Sequence, residues 1–171
     1  MSDRRFDLIT ADTIRPIHAQ SSNLYSRDYF RLMASRLTEN GIVFQWIDVS
    51  LMDHEERILM RTFVSAFPHV ALCELGGNKF LLGSNERLAI DGTSIRARLT
   101  PAVLDDLAAA GVANAETFLS AFAPAGDDLR AAIGPGPIIT DDRPINEYFN
   151  LLRTGELWRL LPAESSAYRP H

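Results

Sequence analysis

The sequence predicts an α/β protein in which a sheet containing parallel strands is followed by a mostly helical segment. Short apolar segments rich in β-branched and aromatic residues alternate with amphipathic stretches of helical period, and such alternation is typical of an α/β sheet. The composition, with 46% apolar and 23% charged residues, is that of an ordinary globular protein. At 171 residues, the chain has the length of one domain.

The first predicted elements are a strand, a helix and a second strand. Residues 6–11 are mostly apolar and end at Asp12, which suits a buried strand of a parallel sheet. Ser26 is the predicted N-cap of a helix that Asn40 and Gly41 end, and residues 42–47 form a second buried strand. The helix is predicted from apolar residues spaced at i, i+3, i+4 and i+7, which are Phe30, Met33, Ala34 and Leu37.

A second helix and a hairpin are predicted next. The helix begins at Asp53 and ends before Pro68. Residues 70–75 and 79–82 are apolar segments separated by the sequence Gly-Gly-Asn, which predicts an antiparallel hairpin with a tight turn. The first 90 residues are therefore expected to form the sheet and its helices.

The second half of the chain, residues 91–171, is predicted to be a helical tail packed on the same domain. Thr100 and Pro101 supply the N-cap and first-turn proline of a helix that Gly111 ends. Asn114 starts a shorter helix that extends to Phe122. A final helix is predicted from the apolar residues Leu151, Leu152, Leu157, Trp158 and Leu161.

Charge and cysteine content exclude several function classes. The net charge is −5 and the basic residues are scattered, which argues against nucleic acid as a partner. No apolar stretch is long enough to cross a bilayer, so we expect no membrane contact by this chain. The single cysteine, Cys73, lies in an apolar segment and is predicted to be a buried, inert thiol. A reducing, cytoplasmic location fits these features best.

Several short blocks between residues 6 and 70 recur, in order, in the spermidine synthase family. The chain resembles the later half of that family, and most closely the branch often fused to a transporter-like membrane region. That branch also tends to carry a tail resembling residues 140–144, Thr-Asp-Asp-Arg-Pro. The matching blocks are Phe6-Asp7-Leu8-Ile9, Asp12, Pro16, Asn23-Leu24-Tyr25-Ser26, Tyr29-Phe30, Leu37, Gly41-Ile42-Val43 and Phe67-Pro68-His69-Val70.

This resemblance implies the C-terminal half of a Rossmann-like, methyltransferase-type sheet that ends in the hairpin. The family's glycine-rich nucleoside loop precedes the strand that matches residues 6–11, and neither that loop nor its acidic partner is found in the sequence. We therefore expect that Met1 is an internal methionine of a longer reading frame. Decarboxylated S-adenosylmethionine, or S-adenosylmethionine, is then a co-substrate that needs the upstream half. Thr13 is the candidate for contact with it in this chain.

Asp12 is the candidate catalytic residue. It follows a predicted parallel strand, and open α/β sheets bind ligands at the carboxyl ends of their strands. In the family, the aspartate that matches Asp12 helps to deprotonate the attacking amine. An amine with a pKa of about 10 is mostly protonated at neutral pH, so a carboxylate that accepts its proton promotes attack. The alternative interpretation is that Asp12 only caps the loop through backbone hydrogen bonds.

The loop after Asp12 departs from the family pattern at Arg15. The family usually has Asp-Ser-x-Asp-Pro, whereas residues 12–16 here are Asp-Thr-Ile-Arg-Pro. A cation at this position repels a dicationic amine and better suits a carboxylate or phosphate. Arg15 is therefore a candidate substrate-binding residue, and the departure places spermidine synthesis itself in question.

Three further residues are candidates for substrate binding. Tyr25 matches the family's Leu-Tyr-Ser block beside the mouth of the active site, and its alternative role is packing. Gln45 lies at the end of the second strand. Asp142 is predicted either to line the same crevice or to form a turn with an internal ion pair. The four histidines are widely spaced in the sequence, and no metal site is predicted.

Two classes of function follow from these residues. The first is a transferase that moves an aminopropyl-type group from a decarboxylated S-adenosylmethionine-like donor to a small-molecule amine. The second is a catalytically silent α/β module that binds a partner or regulates an attached region, which Arg15 and the missing half favour. A methyltransferase fragment on the same fold is a third interpretation. Dimers are common in the family, so the resemblance also implies a homodimer.

Overall fold

The protein has an α/β fold built on a five-stranded mixed sheet with the strand order β1-β2-β4-β3-β5. The computed structural model describes residues 3–12, 14–18, 21–88 and 91–153. The strands are β1 (Phe6–Ala11), β2 (Leu37–Ile47), β3 (His69–Leu75), β4 (Asn78–Ser84) and β5 (Phe122–Ala125).

The described part of the chain contains seven α-helices, five of them after residue 90. They are α1 (Arg27–Ser35), α2 (Asp53–Val64), α3 (Gly92–Arg98), α4 (Pro101–Ala109), α5 (Ala115–Ser120), α6 (Gly126–Ile133) and α7 (Phe149–Arg153). Two short 3₁₀ helices cover Ser22–Leu24 and Ile145–Tyr148. Within the described part of the chain, no helix has the length and apolar character needed to cross a membrane.

The sheet combines one parallel pair with an inserted antiparallel strand. β1 and β2 are parallel, whereas β4 lies between β2 and β3 and is antiparallel to both. The predicted hairpin is confirmed as β3 and β4. Its turn residues Gly76 and Gly77 have φ values of 58° and 76°, a conformation that glycine adopts without steric cost.

The two faces of this sheet are covered differently. One face, which we call the closed face, packs against α1 and α2. It carries Val43, Ile47 and Leu81, all fully buried. The opposite face, which we call the open face, carries Phe44, Trp46 and Phe80, which are only half-buried. Alternating residues of a strand point to opposite faces, so the register of β2 against β4 fixes which side chains belong to which face.

The start of α1 is confirmed and its predicted end is wrong. Ser26 Oγ accepts a hydrogen bond of 3.1 Å from the Tyr29 amide, as expected of an N-cap. Leu37 is not on the helix, however, because β2 begins there and pairs with Phe6 of β1. The apolar spacing continues through Leu37 because that side chain belongs to the same buried core, and it is 1% exposed.

β1 is parallel to β2 as predicted, but it is not a buried strand. It forms the edge of the sheet, and Phe6 and Leu8 are 45% and 59% exposed. An edge strand has a neighbour on one side only, which leaves half of its backbone hydrogen-bonding groups unpaired within the sheet. Its carboxyl end at Ala11 is the buried part of the strand.

The second half contributes to both the sheet and the core. Phe122, expected on a helix, begins β5, which pairs with β3. Leu129, Ile133, Ile139 and Phe149 belong to the same buried cluster as the closed face. The predicted final helix is described as far as Arg153, and its residues Leu157, Trp158 and Leu161 lie outside the described residues.

Candidate active site

The carboxyl ends of β1 and β2 lie side by side at the same end of the sheet. The two strands are parallel, and Ala11 pairs with Gln45. Asp12 follows β1 directly and is exposed. Open α/β sheets bind ligands at the carboxyl ends of their strands. Because Asp12 is exposed at this position, its carboxylate is accessible to a ligand.

A cavity of about 530 Å³ opens beside Asp12 on the open face. The rings of Phe44 and Phe80 are stacked in this wall, with centroids 4.6 Å apart. Trp46 Nε1 donates to Asn78 Oδ1 at 3.3 Å. The cavity therefore combines one carboxylate with an aromatic wall. Its lining residues are Thr10, Ala11, Asp12, Phe44, Trp46, Asn78 and Phe80.

Buried side chains hold the loop that follows Asp12. Tyr25 is fully buried, and its hydroxyl donates to the Ile14 carbonyl at 2.7 Å. The carbonyl of Pro16 accepts from Ser21 Oγ and from Asn146 Nδ2, both at 2.8 Å. These hydrogen bonds hold the backbone carbonyls of Ile14 and Pro16 in place. Tyr25 thus lies under the loop, and Thr13, the candidate cofactor contact, is outside the described residues.

Arg15 is paired with a carboxylate that is not among the candidates predicted from the sequence. Its Nε lies 3.4 Å from Oδ2 of Asp48, the residue that follows β2. The Asp48 side chain is 1% exposed, whereas that of Arg15 is 56% exposed. Asp48 follows β2 directly, as Asp12 follows β1 directly. This shared position after a strand is the sequence feature that could have identified Asp48 as a site residue.

A second buried carboxylate, Glu55, lies in the first turn of α2. Glu55 is fully buried and accepts two hydrogen bonds of 2.8 Å from Arg153. This hydrogen bonding raises the pKa of Arg153, and the charge of Asp48 adds to the effect. Burial lowers the pKa of the neighbouring His54. The β2–α2 junction is therefore a charged cluster of Arg15, Asp48, His54, Glu55 and Arg153.

Gln45 is fully buried on the closed face and does not line the cavity. Its Nε2 donates to the Trp46 carbonyl at 2.9 Å. Its Oε1 is buried and accepts no hydrogen bond from the residues that the structure describes. Gln45 and Asp12 therefore lie at the same end of the sheet but on opposite faces.

Asp142 lies in an exposed turn closed by pairing of Thr140 with Arg143. Thr140 Oγ1 donates to Asp142 Oδ1 at 2.6 Å, and this hydrogen bond lowers the pKa of the carboxyl group. Among the described residues, the cavity lining does not include Asp142. The C-terminal segment contacts the loop after Asp12 through Asn146 instead. No local sequence pattern identifies Asn146 as a site residue.

Comparison with known proteins gives no assignment, since neither a family model nor a curated protein matches the chain. Within residues 3–12, 14–18, 21–88 and 91–153, no three His, Cys, Asp or Glu side chains are grouped in a way that could hold a metal ion.

Proposed function

We propose that this chain is the acceptor-side half of a spermidine synthase-like transferase, which moves an aminopropyl-type group to an amine. The observation that carries the proposal is the position of Asp12, a carboxylate at the carboxyl end of β1 and at the rim of an aromatic cavity. The order of strand, helix, strand, helix and hairpin also supports it, because the resemblance implies this order for the C-terminal half of a Rossmann-like, methyltransferase-type sheet.

The cavity suits an amine for two reasons. A carboxylate attracts an ammonium group and can accept its proton, and aromatic rings attract cations over their faces. The carboxylate is that of Asp12, and the aromatic rings are those of Phe44, Trp46 and Phe80. In the proposed step the amine nitrogen bonds to the carbon beside the sulfonium, and Asp12 takes the proton. The carbon–sulfur bond breaks, and its electron pair stays on the departing thioether nucleoside.

In the chain without ligand, the charge of Arg15 is paired with Asp48. The cation that replaces the family's second carboxylate is thus partly compensated by a carboxylate from the next strand. Tyr25 acts as a positioning residue, because its hydroxyl holds the Ile14 carbonyl in the loop after Asp12. In the family, the nucleoside-binding loop precedes the strand that matches β1.

The test is turnover by the polypeptide that the complete reading frame encodes. Decarboxylated S-adenosylmethionine and a set of diamines are supplied, and the thioether nucleoside is quantified. Asp12→Asn is expected to lower kcat by roughly 10²- to 10⁴-fold, the usual contribution of a general base. Asp7→Asn is the matched control, because Asp7 is an exposed carboxylate of the same strand whose Oδ1 accepts from Thr38 Oγ1. Unchanged turnover in Asp12→Asn would falsify the assignment.

A catalytically silent binding module is the second candidate, and the positive charge of Arg15 in the acceptor loop favours it. The same assay separates the two candidates, because a silent module releases no thioether nucleoside. S-adenosylmethionine as the only donor tests methyl transfer. A cytoplasmic location and a homodimer remain predictions from the sequence.

A further inference from the structure

Asp48 carries a buried oxygen that the protein leaves poorly satisfied. Its Oδ1 accepts from the Ser50 amide at 2.9 Å. Its Oδ2 is buried and receives no hydrogen bond from any residue that the structure describes. Arg15 Nε is 3.4 Å away, within ion-pair range but without hydrogen-bond geometry. A buried carboxylate oxygen without a donor is unfavourable, so this site favours any group that supplies an N–H.

A second orphan acceptor lies three residues earlier in the chain, on β2. Gln45 Oε1 is buried and also lacks a hydrogen-bond donor among the described residues. A carboxylate oxygen such as Asp48 Oδ2 accepts hydrogen bonds and cannot donate them. The complementary ligand is therefore a donor of hydrogen bonds with positive charge, which excludes an anion. Within the described part of the chain, no three His, Cys, Asp or Glu side chains are grouped so that they could hold a metal ion, so the candidate ligand at Asp48 is an organic cation.

We propose that Asp48 binds a primary ammonium group of the acceptor and that Arg15 occupies this position until the amine displaces it. An ammonium group has three N–H donors on one compact centre, whereas a guanidinium is a larger planar group, so the ammonium can approach a buried oxygen more closely. Arg15 can leave readily because its side chain is 56% exposed. The proposal rests on the proposed function for the identity of the ligand.

The position of the loop supports this exchange. The carbonyls of Ile14 and Pro16, on both sides of Arg15, are held by Tyr25, Ser21 and Asn146. The backbone at Arg15 is therefore fixed while its side chain is exposed. Exchange at Asp48 thus requires a side-chain rotation and no movement of the loop.

The test measures amine binding to the 171-residue chain, with no donor present. The probe is 1,4-diaminobutane, and 1,4-butanediol is its uncharged counterpart. Binding is followed by NMR chemical shifts, including the Nε–H signal of Arg15. We expect Arg15→Gln to tighten diamine binding by about tenfold, equivalent to about 1.4 kcal/mol, because it removes the competing cation. Arg87→Gln is the matched control, since Arg87 is an exposed arginine that lines a different cavity.

Asp48→Asn is expected to abolish the diamine shifts. Because loss of a buried charge can also impair folding, Arg15→Gln is the decisive variant, since it alters a mostly exposed side chain. Unchanged or weaker diamine binding in Arg15→Gln overturns the proposal, as does equal binding of the diol or no binding of the diamine by any variant. These results leave the turnover test of Asp12 unaffected, so the two proposals fail independently.

Discussion

The closed and open faces of the sheet differ in how completely they are covered. On the closed face, Phe63 is fully buried and lies between Phe30 and Phe67, with ring centroids 5.1 and 4.7 Å away. On the open face, Phe80 is half-buried and stacks on Phe44 in the wall of a cavity. The same residue type thus serves core packing on one side and forms an accessible aromatic surface on the other. We infer that the closed face supplies most of the stability, whereas the part of the open face that lines the cavity beside Asp12 is accessible to a ligand.

The largest expected effect is that of Phe63→Ala. Removal of this ring leaves a cavity between two other rings, and such core truncations cost about 3–5 kcal/mol. Urea unfolding monitored by circular dichroism gives the change in the free energy of unfolding. Phe80→Ala is the control on the open face and should cost less than about 2 kcal/mol, because its ring keeps part of its surface in water. Equal losses for the two variants would contradict the difference between the faces.

A smaller loss is expected for Gly83→Ala, which adds one methyl group to the closed face. A Cβ at Gly83 would lie 2.6 Å from two ring carbons of Phe67 and 2.9 Å from Phe63. Two buried rings must move, which costs roughly 1–3 kcal/mol for overpacking of this kind. The measurement is the same unfolding experiment.

Gly92→Ala is the control for that prediction. A Cβ at Gly92 would meet the flexible end of Arg96 at 3.1 Å, and the position is exposed enough for that side chain to move. Its stability should stay within about 0.5 kcal/mol of the original chain. If Gly83→Ala is equally neutral, the closed face is less tightly packed than the distances indicate.

The smallest expected effect is a dependence of stability on pH that comes from His54. Burial lowers the pKa of His54, Arg153 lowers it further, and Glu55 and Asp53 oppose the shift. The unfolded chain then binds more protons than the folded one below the ordinary histidine pKa of about 6.5. Stability is therefore present above that pH and is lost as the pH falls through the folded pKa.

His54→Gln should flatten this part of the stability profile below the ordinary histidine pKa of about 6.5. His18→Gln is the comparison, because His18 is exposed. Its unfolding free energy should follow that of the original chain. A slope that His54→Gln leaves unchanged would assign the pH dependence to other groups.

The sequence predicted those features that depend on local chemistry. The glycine pair at the hairpin turn, the Ser26 cap and the position of Asp12 after β1 all follow from rules that span a few residues. Leu37 was misassigned because burial produces the same spacing whether a residue ends a helix or starts a strand. Gln45 was a candidate from its place at the strand end, but the face it occupies depends on the register of β2 with its neighbours.

The remaining features depend on contacts between distant parts of the chain. The pairing of Arg15 with Asp48 joins the loops after two neighbouring strands, and no periodicity marks either residue. Phe122 looked helical because it follows a capped helix, whereas pairing with β3 places it in the sheet. Tertiary contacts of this kind override local propensity. The sequence therefore identified the strand ends that carry the candidate site, but it did not identify the second carboxylate there, Asp48.

The hydrogen bond from Asn146 to the Pro16 carbonyl spans 130 residues of sequence. Proteins are synthesised from the N-terminus, so Pro16 leaves the ribosome long before Asn146 has been made. Contacts of such separation also form late in folding, because closing a long loop costs entropy before the contact can repay it. The loop beside Asp12 thus acquires its final support only after Asn146 has been synthesised, which delays completion of the site until at least 130 further residues have been added after Pro16.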